Sequence, residues 1–183
     1  MGRVTMSGGG QRGVTLIELL TVLAIVAILL GIAIPSFREF MMATRTSTQA
    51  NDLLAGLSIA RSEAVKYARR TEVQATGGDW TNGWFVWTDL NGDNVVDDNE
   101  VVTRQGEAEE EFTIRAGDAG GAVTGVAFGI TGTLVTPAGA NPVEFAVCRP
   151  DDLVARSRGI RLLRSGRAEV QPLGSNAVVN TCP

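Results

Sequence analysis

Apolar and polar positions divide this chain into three stretches. Residues 1–13 are polar, with Arg3 and Arg12 and no acid. Residues 14–34 are apolar throughout except for Thr15, Thr21 and one charge, Glu18. As an α-helix this run rises about 31 Å, the thickness of a bilayer's hydrocarbon core. Pro35 ends it. From Ser36 onward Phe37, Met41, Leu53, Leu57, Ala60, Ala64 and Ala68 follow three-and-four spacing. Arg45, Asp52, Arg61, Glu63, Lys66 and Arg69 fall mostly on other faces. The pattern predicts one long helix from about residue 15 to 70, bent at Pro35. The polar run Thr44–Gln49 reads as a weak stretch of that helix or a solvated face.

Past residue 70 the period shortens. Trp84–Trp87, Val101–Arg104, Phe112–Arg115, Val123–Phe128 and Val143–Cys148 read as strands between Gly, Pro, Asn and Asp clusters. Arg158–Leu163, Ser165-Gly166 and Arg167–Gln171 read as a hairpin. Trp80, Trp84 and Trp87 suit core and sheet packing better than an aromatic ligand platform. The expected class is α+β: a long N-terminal helix, transmembrane and then amphipathic, packed on an antiparallel sheet in a globular head.

Composition narrows the chemistry. Histidine is absent, which excludes histidine acid–base catalysis, a Ser–His triad and His-ligated zinc. Two cysteines cannot build a four-thiolate site. Lys66 is the only lysine; Ser62 lies four residues before it, and the pair reads as a solvated helix face rather than a catalytic dyad. No constellation for a membrane-anchored enzyme emerges. The formal net charge is −4, unevenly spread. Residues 89–118 carry ten acids against Arg104 and Arg115, and residues 149–167 carry six arginines against Asp151 and Asp152. A uniformly basic nucleic-acid binder is excluded; a local basic patch is not.

Basic residues ahead of the span, and none inside it, keep the first residues cytoplasmic and send the remainder across. A secretory signal peptide fits poorly, because the apolar run is long and the small residue, Gly13, precedes it. A lone carboxylate inside a span is costly and marks function. Arg12-Gly13-Val14-Thr15-Leu16-Ile17-Glu18 followed by an apolar helix resembles the leader of type IV prepilins and type II secretion pseudopilins. Val14 stands where phenylalanine is usual in that family. Ala60-Arg61-Ser62-Glu63-Ala64, followed by Gly83-Trp84-Phe85-Val86, resembles the GspH/FimT branch of minor subunits.

The resemblance implies a leader over 1–13, cleavage after Gly13 and N-methylation of Val14. It implies a membrane and filament-core helix over 14–35 kinked at Pro35, its continuation over 36–71, and a β-rich head over 72–183. It also implies a role for Glu18, which neutralises the new Val14 amine of a neighbouring subunit, so that a charge costly alone is satisfied in a polymer. The implied place is the bacterial inner membrane, single pass, leader cytoplasmic and head periplasmic, and then a pilus or pseudopilus. The implied partners are other pilins, the prepilin peptidase/methyltransferase, an inner-membrane assembly platform, and lipid before assembly. A structural subunit is the leading reading. A DNA-binding pilin of an uptake pilus is the alternative.

Three further groups carry candidate chemistry. Asp89–Glu100 places oxygens at positions 1, 3, 5, 9 and 12 of an EF-hand-like loop (Asp89, Asn91, Asp93, Asp97, Glu100), with the Val95 carbonyl at 7 and Asn94 where glycine is usual. Calcium is the candidate ion, with no obligatory cofactor; an ion-free Asx-rich hairpin loop is the alternative. Cys148 and Cys182 suit one disulfide in an exported head, pinning the last strand and the tail. Arg156, Arg158, Arg161 and Arg167 lie on the hairpin that some FimT members use for DNA, where Gly166-Arg167-Ala168-Glu169 has an acid in place of the second arginine. The expected use of these arginines is a charged solvent face pairing with the acidic segment 89–118, within the head or between subunits; a phosphate-binding stripe is the alternative.

Overall fold

The computed structural model describes residues 13–108, 111–139, 142–151, 156–173 and 182. One helix, α1 (Leu16–Tyr67), is followed by ten strands: β1 (Thr71–Ala75), β2 (Trp84–Thr88), β3 (Val101–Gln105), β4 (Thr113–Asp118), β5 (Gly121–Ala122), β6 (Gly125–Phe128), β7 (Leu134–Thr136), β8 (Val143–Cys148), β9 (Arg158–Leu162) and β10 (Ala168–Pro172). The chain divides into two compact units, one ending at Met41 and one beginning at Met42.

In the first unit α1 opens on a threonine N-cap. Thr15 precedes the helix and its Oγ1 accepts the Glu18 amide at 3.3 Å, three residues on. Glu18 also places a negative charge in the first turn, where the helix dipole favours it. The helix passes through Pro35 without interruption. Its apolar side chains in this unit are exposed, Leu16 and Ile32 among them. Among the described residues α1 is the one helix long and apolar enough to cross a membrane.

In the second unit the rest of α1 turns Thr46, Gln49, Ala50, Leu53, Gly56, Leu57, Ala60 and Ala64 inward. Apart from the adjacent pairs Gln49–Ala50 and Gly56–Leu57, the steps are three or four residues, so they form one stripe. The polar run 44–49 is regular helix: Thr46, Ser47 and Thr48 each bond the carbonyl four residues back. Ala68 is not on the inward face. It sits at the helix C-terminus with φ 51°, and Arg69 N–H bonds the Ala64 carbonyl at 3.2 Å, the six-to-one bond of a Schellman cap.

The head holds two five-stranded antiparallel sheets where one was expected. Their strand orders are β3-β2-β1-β6-β7 and β10-β9-β8-β4-β5. Leu53 and Leu57 join Val73, Val86 and Phe128 of the first sheet and Ile114, Phe145 and Ile160 of the second in one core. Full burial of each such side chain contributes about 1.5–3 kcal/mol. Strand β1, absent from the sequence pattern, sits at the centre of its sheet. Its alternate residues Thr71, Val73 and Ala75 are buried. The three tryptophans are core residues, as expected: Trp80 donates its indole N–H to the Val123 carbonyl at 2.7 Å and meets Phe145 edge-on.

Candidate functional site

At the N-terminus the structure brings Gly13, Val14 and Glu18 within the first turn and its cap. Val14 and Glu18 are exposed. Among the described residues no cation of this chain pairs with the Glu18 carboxylate, and the 18 most apolar residues of the helix have no buried member. This end of α1 therefore presents a carboxylate and an apolar surface that the described residues leave without a partner. Residues 1–12 of the expected leader lie outside the described residues.

Cys148 and Cys182 form a disulfide, with Cα atoms 5.5 Å apart. Strand β8 explains its position. Val143, Phe145 and Val147 face the main core, while Ala146 and Cys148 face the other way and pack with Leu173 and Cys182 in a small separate cluster. The bridge thus covers the outer face of β8. The rest of the expected tail contact, 176–181 and 183, lies outside the described residues.

The hairpin arginines do not form a stripe. On β9, Arg158 shares the parity of Ile160 and Leu162, whereas Arg161 points to the opposite face. Among the described residues, the recorded ion pairs of Arg161 and Arg167 are made inside their own sheet and not with the acidic segment 89–118 of the same chain. Arg161 lies 3.7 Å from the buried Glu144 of β8, and Arg167 lies 3.6 Å from Glu169. The reason is register: β9 is flanked by β8 and β10, which bring Glu144 and Glu169 opposite Arg161. Arg156 precedes β9 and also has an interaction partner.

Sequence reasoning missed Arg61. Its Nε donates to the Gly132 carbonyl at 3.0 Å and its Nη2 to the Ser165 carbonyl at 3.4 Å. Gly132 belongs to the β6–β7 turn and Ser165 to the β9–β10 turn, so one helix arginine ties a hairpin of each sheet. Leu134 N–H bonds the Arg164 carbonyl at 2.9 Å beside it. A side chain at Gly166 would collide with the Gly132 backbone, which accounts for glycine there in a φ of 78°. The Ala60–Ala64 motif pointed to a family, but nothing local in it revealed this clamp. Arg61, Lys66 and Arg167 line one open groove of about 530 Å³. Lys66 Nζ donates to both Glu63 oxygens at 3.2 and 3.3 Å, which holds its ammonium above the usual lysine range. Ser62 instead bonds the Ile59 carbonyl, so the pair forms no dyad.

The acidic loop joins β2 to β3. Asp89 and Glu100, its first and last residues, are buried. Asp89 accepts the Gly92 and Asn94 amides at 2.7 and 3.3 Å, and Glu100 Oε1 accepts those of Leu90 and Asn91 at 2.8 and 3.2 Å. Asn94 adopts φ 59°, the left-handed conformation its position in the loop requires. Among the described residues no three acidic side chains form a ready ligand group.

A long N-terminal apolar helix with an acid in its first turn, followed by a two-sheet head, defines a pilin-like class, and the comparisons agree. The chain belongs to the family described as type II transport protein GspH, whose model matches residues 49–166. The prokaryotic N-terminal methylation motif matches residues 9–34. The chain is similar to the type IV minor pilin FimU of Pseudomonas aeruginosa, at 25% identity and a TM-score of 0.58, over 73% of this chain and 92% of that one. It shares its fold with the minor pseudopilin EpsH from the type 2 secretion system of Vibrio cholerae, at 11% identity and a TM-score of 0.52, over 72% of this chain and 99% of that one. No curated protein matches the chain significantly.

Proposed function

We propose that this chain is a minor filament subunit, inserted in the bacterial inner membrane with its head outside the cytoplasm, cleaved between Gly13 and Val14 and methylated on the new amine. The observation that carries the reading is the register of Gly13, Glu18 and the exposed apolar helix within the matched methylation motif. Assembly supplies what the single chain lacks. Neighbouring helices replace lipid around the apolar surface, and the Val14 amine of one subunit neutralises Glu18 of the next. The likeness to FimU supports a type IV pilus as the setting, with a type II secretion pseudopilus as the related alternative. The proposal does not extend to nucleic acid. Lys66 and Arg167 of the groove hold carboxylates, and Arg61 holds two backbone carbonyls.

The test is processing. Coexpressed with a prepilin peptidase, the wild-type chain is expected to yield a mature N-terminus at Val14 carrying one methyl group, by mass spectrometry. Gly13→Val is expected to retain the leader, because a branched side chain replaces the small residue at the cut. A wild-type N-terminus anywhere else overturns the reading.

A further inference from the structure

We propose that the β2–β3 loop, Asp89–Glu100, is a calcium site whose ligands are the side-chain oxygens of Asp89, Asn91, Asp93, Asp97 and Glu100 and the Val95 carbonyl. The spacing alone does not carry this; three structural observations do. The backbone bends as such a loop must. Asn91 Oδ1 accepts the Asp93 amide at 2.9 Å, and Asp93 Oδ1 accepts the Val95 amide at 2.8 Å, which curls the chain around its own carboxylates. The other oxygens of Asp93 and Asp97 converge on one point. The Asn91 amide nitrogen sits there, 3.0 and 3.2 Å from them, so a donor already occupies the place between two negative charges.

The independent observation is Glu100. It is 2% exposed, and its Oε2 is buried without a hydrogen-bond partner while Oε1 is held under the loop by two amides. A carboxylate oxygen withdrawn from water and left unpaired is costly, and a cation in the loop removes that cost. Position 12 of such a loop is where a bidentate acid closes the coordination sphere. No Lys or Arg among the described residues is paired with any of the loop's five acids, so only amide donors, and no cation, offset their repulsion. Since the carboxylates do not already stand as a ligand group, binding requires Asn91, Asp93 and Asp97 to exchange their mutual hydrogen bonds for the ion. The loop is thereby ordered between two fixed strand ends, Thr88 and Val101. This inference does not depend on filament assembly.

The experiment uses the full chain in detergent micelles, stripped with chelator and titrated with terbium and with calcium. Trp87, at the end of β2, serves as the antenna for terbium luminescence. The expected result is saturable luminescence that calcium displaces and magnesium at the same concentration does not, since magnesium demands a tighter octahedral site. At a hundredfold calcium excess over Kd, the melting temperature is expected to rise by about 5–10 °C. Glu100→Gln is expected to weaken calcium by about tenfold or more, and Asp98→Asn, at a position that is not a ligand, to leave it within about threefold. Should Glu100→Gln fail to fold, Asp93→Asn on the exposed rim tests the same ligand set and is expected to weaken binding by at least about threefold. No saturable luminescence, equal loss in Asp98→Asn and the ligand variants, or equal displacement by magnesium overturns the proposal.

Discussion

Gly56 lies on the inward face of α1 against Trp84, and a Cβ there would collide with the indole's six-membered ring. Two effects compete in Gly56→Ala. Helix propensity favours alanine by about 1 kcal/mol. Overpacking a closed core costs about 1–3 kcal/mol. Trp84 is 5% exposed and held in β2 between β1 and β3, so it cannot yield cheaply. The expected net result is destabilisation, seen as a fall of several degrees in the thermal unfolding of the full chain in detergent. A rise would mean that Trp84 moves freely. Sequence reading placed Trp84 in the core but gave no reason for a glycine in the middle of an amphipathic helix; the reason lies on another element. Gln49 is a second such residue. It was read as part of a polar stretch, yet its amide is buried without a partner beside a cavity of about 90 Å³ shared with Thr48, Asp52 and Glu107.

At the scale of elements, α1 was legible almost to its ends, because period and length are local signals. Its exit was not. Ala68 takes the left-handed cap position, where an L side chain costs about 1–2 kcal/mol. Glycine removes that strain and adds unfolded-state entropy worth about 0.5–1 kcal/mol against it. Ala68→Gly is therefore expected to stabilise the chain by about 0.5 kcal/mol. Tryptophan fluorescence during denaturant unfolding should show a higher midpoint at unchanged slope. A lower midpoint would show that the Schellman geometry does not persist in solution. Strand β1 was missed for a related reason. Thr71-Glu72-Val73-Gln74-Ala75 has little apolar content, and its place between β2 and β6 comes from pairing with both.

At the scale of the molecule, the head buries a core between helix and sheets, whereas the large apolar side chains of the first unit, from Val14 to Met41, are exposed. Glu18 has two separable features: its place three residues after the Thr15 cap, where Glu or Gln suits a helix start, and a charge offered to a neighbour. Glu18→Gln keeps a side chain that serves a capping box and removes the charge; Glu18→Val removes both. If the charge is what assembly uses, both variants are expected to insert and be cleaved, and both to be depleted about tenfold or more in sheared filaments. That corresponds to losing one partly desolvated ion pair. Retention of Glu18→Gln at the wild-type level would assign Glu18 to helix capping alone.

The apolar helix, the position of Glu18 in its first turn, and the change from helix to strands at about residue 70 were all settled along the chain. Each depends on spacing over a few residues, or on a length compared with a bilayer. The pairing of Cys148 with Cys182 followed from having only two cysteines. Contacts between residues far apart in sequence were settled only by the folded head. Two sheets form in place of one because β8 and β9 pair with β4 and β10, not with β1. Strand parity separates Arg158 from Arg161, and register matches Arg161 with Glu144 instead of the acidic loop. Arg61, read as one more exposed charge, joins the turns of both sheets through two carbonyls 71 and 104 residues away. A charge can be counted from sequence, but its partner is chosen by the backbone that brings the two together.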